Sequence, residues 1–76
     1  MQTATATVSA AVTIAHKIAK IEARKLAAET NAREFSELAE ILESKGKPSH
    51  NARSAEIECE GNANAYAWAL AILRNG

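Results

Sequence analysis

Half of this chain's apolar residues are alanine, 18 in 76 residues, and neither glycine nor proline interrupts it from Gln2 to Lys45. Alanine is the strongest helix former and adds almost no volume to an interior. A chain so built makes helices readily and fills a core poorly, so its helices need a partner to complete their burial. The length is that of one domain, residues 1–76, which hides only about 60% of its unfolded surface. One cysteine cannot form an internal disulfide, and no metal-ligand spacing is present. Without a staple or a cofactor, a chain of this size is held by close helix packing or by self-association.

Punctuation sets the architecture. Lys45-Gly46-Lys47-Pro48-Ser49 is a helix stop followed by a helix start. Gly46 suits a left-handed cap, Lys45 and Lys47 suit the negative end of the dipole, Pro48 blocks continuation, and Ser49 is a natural N-cap. The expectation is an all-α helical hairpin with arms of about 8–45 and 49–74, a hinge at 46–48 and fraying over 1–7. Its Ala-rich arms are expected to self-associate into a homodimeric bundle.

The first arm can be read in two ways. At 100° per residue, Val8, Ala11, Val12, Ile14, Ala15, Ile18, Ile21 and Leu26 share a face, and Phe35, Leu38 and Leu42 fall on the basic side opposite. A break at Thr30-Asn31, with Glu34 closing a capping box, would explain this as a compact three-helix bundle. A period of 3.5 explains it without a break. Ala11, Ile14, Ile18, Ile21, Lys25, Ala28, Ala32, Phe35, Ala39 and Leu42 then alternate by three and four, flawed only by Lys25. Glu29, Arg33 and Glu37 at i, i+4 spacing favour the continuous helix. The second arm has a seam of Cys59, Ala63, Tyr66, Leu70 and Leu73 and another apolar face of Ile57, Trp68 and Ile72. Gly61 lies mid-helix, where close packing of the backbone would compensate its cost.

Net charge is zero, but the charges run in blocks: +3 over 1–28, −4 over 29–44, +3 over 45–53 and −3 over 54–60. Such blocks suit neighbouring helices or chains that pair opposite signs. Lys17, Lys20 and Arg24 make a basic stripe, whose ordinary use is to pair, within the chain or between chains, with Glu34, Glu37, Glu40 and Glu43. The segment MQTATATVSAAVTIAHK lacks the basic start of a signal peptide, and no 18-residue apolar run suggests a membrane span. A cytoplasmic, reducing setting is expected.

No residue pattern specifies catalysis. Cys59 sits between glutamates, which oppose thiolate formation, and a dyad with His16 has nothing to orient its base. The three glutamates of 56–60 diverge around a helix and cannot converge on a cation. The expected function is therefore that of a non-catalytic protein-binding module, a stoichiometric regulator, adaptor or inhibitor. Small motif-poor chains are common among phage and mobile-element inhibitors of host systems, an association that adds that role. Trp68, Ile57, Ile72 and Tyr66 are the apolar interface candidates, and Glu34, Glu37 and Glu40 the acidic ones. The alternative is a nucleic-acid-binding helical protein that uses Lys17, Lys20 and Arg24.

Overall fold

The computed structural model describes the backbone of residues 2–75 and the side chains of 13–75. It contains two helices, α1 (Gln2–Ser44) and α2 (His50–Asn75), folded against each other as a hairpin, with no strand among the described residues. The first helix begins at Gln2 instead of near residue 8, and it runs through Thr30-Asn31 without a break, so the three-helix alternative does not form. Neither residue is a strong breaker, and α2 lies alongside to support the helix there. The side chains of Val8, Ala11 and Val12 lie outside the described residues.

The 3.5-residue period is the one the fold uses from Ile18 onward. Ile18, Ile21, Lys25, Ala28, Ala32, Phe35, Ala39 and Leu42 are all buried or half-buried, whereas Ile14, a seam position beyond the end of α2, and Leu26, on the face drawn at 100°, are exposed. On α2 the seam extends past Cys59 to the turn. Ser49, Ala52, Glu56, Cys59, Ala63, Tyr66, Leu70 and Leu73 alternate by three and four and are all shielded. Matching 3.5 periods on two antiparallel helices make a coiled coil, each seam following the other. Lys25, the one charge in the seam of α1, is accommodated by reaching sideways, its Nζ 3.2 Å from Glu29. That contact replaces the expected Glu29/Arg33/Glu37 series, in which no ion pair forms among the described residues.

The turn follows from its residues. Gly46 takes φ +68°, Lys47 N–H donates to Leu42 O at 2.8 Å, and Gly46 N–H donates to Glu43 O at 3.1 Å. These are the two bonds of a Schellman cap, which needs a residue without a Cβ penalty at the left-handed position. Ser49 holds the N-cap position, its carbonyl accepting from Arg53 N–H at 2.9 Å.

Arg53 pairs with Glu43 at one end of the hairpin, and Arg74 pairs with Glu22 at the other. Residues opposite each other therefore have numbers that total about 96, as 43 and 53 do, and 22 and 74. Beyond about Ile21, α1 continues past the end of α2 for roughly 28 Å. The molecule is a rod of 67 × 16 × 13 Å with a radius of gyration of 18.4 Å. A compact chain of this length would have about 11 Å. Its 5751 Å² of accessible surface likewise exceeds the about 4,500 Å² typical of this mass.

The buried side chains explain the excess. They are Ala28, Ala32, Ala39, Ala52, Ala63 and Leu70, with Ala39 fully enclosed. The interior is made of methyl groups, which bring the two helices close and hide little area.

Candidate functional surfaces

Large side chains occupy the outside. Ile14, Leu26, Leu38, Ile41, Ile57, Trp68 and Ile72 are all exposed, Ile57 and Trp68 each at 68%. Three of them, Ile57, Trp68 and Ile72, lie on α2 away from α1. Tyr66, also an interface candidate, is turned half-buried into the seam with α1. Trp68 and Ile72, four residues apart, edge a shallow groove of about 410 Å³ with Ala71 and Asn75.

On α1, Glu34, Glu37, Leu38 and Ile41 share one exposed side, with Glu40 exposed beside them. Leu38 and Ile41 form a short apolar ridge rimmed by carboxylates. The basic candidates Lys17, Lys20 and Arg24 are exposed, and none of the four ion pairs among the described residues uses them.

Adjoining charge blocks meet through Lys25–Glu29, Arg53–Glu43 and Arg53–Glu56, but Lys17, Lys20 and Arg24 do not pair with Glu34, Glu37, Glu40 or Glu43 within the chain among the described residues. The basic stripe lies at the open end of the hairpin, beside and beyond the last turn of α2. The glutamates of α1 lie beside those of α2, because residue 40 stands opposite 56. Charge is thus sorted along the rod. The open end holds Lys17, Lys20, Arg24, Lys25 and Arg74 against Glu22, a net of +4. The middle holds Glu29, Glu34, Glu37, Glu40, Glu43, Glu56, Glu58 and Glu60 against Arg33, a net of −7. The turn holds Lys45, Lys47 and Arg53, +3.

The strongest polar constellation is at the turn. Arg53 donates through Nε to Glu43 Oε2 at 3.0 Å and through Nη2 to Oε1 at 2.8 Å. Its Nη1 reaches Glu56 Oε1 at 2.9 Å, and Ser49 Oγ donates to Glu43 Oε2 at 2.8 Å. The Arg53 hydrogen bonds and then that of Ser49 lower the Glu43 carboxyl from 4.5 to about 2. Hydrogen bonds from Glu43 and Glu56 push Arg53 upward. The cluster fastens the turn, one guanidinium bridging two carboxylates. Nothing in the sequence pattern singled out this contact, because it spans ten residues across a turn whose geometry had first to be known.

Cys59 is a half-buried free thiol in the seam. The register puts it opposite about Glu37, so His16 lies some 30 Å away along α1 and no dyad forms. Glu56, Glu58 and Glu60 remain divergent, and no group of three His, Cys, Asp or Glu among the described residues could hold a metal ion. No helix among them is long and apolar enough to cross a membrane.

No family model matches the chain, and comparison with curated proteins and with solved structures finds no match.

Proposed function

We propose that this chain is a non-catalytic helical module that acts stoichiometrically by docking on a protein partner, as a regulator, adaptor or inhibitor. The observation that carries this reading is the inversion of its apolar residues: alanines inside, seven large side chains outside. Single exposed apolar residues are ordinary on any protein, but here seven of the fourteen large apolar side chains among the described residues are exposed. The ridge of Leu38 and Ile41 with Glu34, Glu37 and Glu40 fits an apolar groove bordered by Lys or Arg. Its acidic rim would steer the encounter, and the two aliphatic side chains would anchor it. A phage or mobile-element inhibitor of a host system would be built on this plan. The lone thiol fits a reducing, cytoplasmic setting.

The test is affinity capture from native cells with the wild type and a Leu38→Ala/Ile41→Ala variant. One protein retained at equimolar ratio by the wild type and lost by the variant supports the reading. Identical retention by both contradicts it.

A second reading rests on the exposed, unpaired stripe of Lys17, Lys20 and Arg24, which is spaced to meet phosphates. Three phosphate contacts give a slope of log affinity against log salt of about −2.7. Absence of nucleic-acid binding at low salt removes this alternative.

A further inference from the structure

We propose that a second copy of this chain packs antiparallel against the outer face of α2, over residues 61–73, with the two-fold axis near Ala67. Three observations converge on this face.

The first is the absence of charge. Residues 61–73 contain no charged residue on any side of the helix. Ala63, Tyr66, Leu70 and Leu73 turn to α1 and Ala67 and Ala69 are half-buried, while Ala65, Trp68 and Ile72 stay exposed. A helix uncharged all round is ordinarily covered all round, and α1 covers half of this one. The outer side of α1, by contrast, carries charge along its length, the rim of the Leu38–Ile41 ridge included.

The second is Gly61. Glycine weakens a helix, and here a Cβ would meet nothing within 4 Å, so contact with α1 does not explain it. Packing of its backbone within the hairpin, the compensation expected from sequence, is absent. Gly61, Ala65, Trp68 and Ile72 follow one another around the same outer face. When two copies run antiparallel with Trp68 on the partner's Ala65, the same register sets Ile72 on the partner's Gly61. Each bulky side chain then meets a small residue.

The third is charge complementarity. The neutral stretch ends in Glu60 on one side and Arg74 on the other. Ala67 stands opposite Glu29, where the +4 end of the rod gives way to its −7 middle. A two-fold axis at that boundary lays each basic end along the partner's acidic middle, whereas parallel packing would match like with like. The seam is about 20 Å long. It therefore belongs with small, dissociable interfaces, and the dimer comes apart on dilution through the micromolar range.

The test is sedimentation equilibrium of the full chain over a concentration series, with circular dichroism to verify each fold. Trp68→Ala is expected to weaken the dimer by at least about tenfold, as loss of a central aromatic does. Gly61→Ala weakens it too, while the helix itself melts no lower. Added salt is expected to weaken the dimer, because each basic end lies along the partner's acidic middle; parallel packing, which matches like with like, would be strengthened by salt. A chain that stays monomeric at millimolar concentration overturns the proposal. So does a dimer indifferent to Gly61→Ala and Trp68→Ala, or one that added salt strengthens.

Discussion

Glu43 and Arg53 face each other across the turn through two parallel hydrogen bonds of 3.0 and 2.8 Å. The pair fixes which residue of α1 stands beside which residue of α2. A second contact 52 residues apart in sequence, Arg74 to Glu22, keeps the same register at the far end. From that register follow the buried alanines, the overhang of α1 and the sorting of charge along the rod.

Acid weakens the turn in a defined window. The folded carboxyl of Glu43 titrates near 2, below its usual 4.5, so its contribution is complete above about pH 4.5 and fades as pH falls toward 2. Glu43→Gln is expected to flatten the loss of melting temperature between those values, measured by circular dichroism. An unchanged acid profile contradicts the role given to this carboxylate.

Gly46→Ala forces a Cβ into the left-handed region at φ +68°. The cost is about 1 kcal/mol, read as a lower urea midpoint with the slope unchanged. No clash contributes, because a Cβ at this position meets nothing within 4 Å.

Gly61→Ala has the opposite sign for the isolated hairpin. It removes a glycine from an exposed helix interior and should raise monomer stability by up to about 1 kcal/mol, measured at high dilution. A loss of stability there would mean that the glycine is needed within the single chain.

The alanine interior makes a further distinction. Ala39 has no exposed surface, so Ala39→Leu must push the helices apart and is expected to cost roughly 1–3 kcal/mol. Leu70→Ala empties the one large buried site and should cost about 2–3 kcal/mol. Leu26→Ala, at an exposed position, should move stability by less than about 0.5 kcal/mol. Denaturant titration of the three variants checks the order.

The hairpin was legible because two local signals agree: an uninterrupted run of helix formers and a stop built from Gly46 and Pro48. The seam of α1 was legible only at a period of 3.5, which predicts how helices coil around each other; the straight-helix period misplaced Leu26. On α2 the seam was read from Cys59 onward because its earlier members, Ser49, Ala52 and Glu56, are small or polar and carry no apolar signal. Glu56 is half-buried there because Arg53 matches its charge. The charge blocks were visible, but their pairing depended on register, which the capped turn and the alanine seam hold and Glu43–Arg53 and Glu22–Arg74 mark. Opposite blocks therefore fall at different levels of the rod, free to meet another molecule.

Half of the large apolar side chains among the described residues lie outside the hairpin, Trp68 among them. Trp68, the only tryptophan, reports on this placement directly through the emission maximum over a dilution series. At high dilution the account predicts the long-wavelength emission of an indole in water, shifting to shorter wavelength as concentration rises and a partner covers it. Short-wavelength emission that holds at every concentration would contradict it, because the indole would then be enclosed by the single chain.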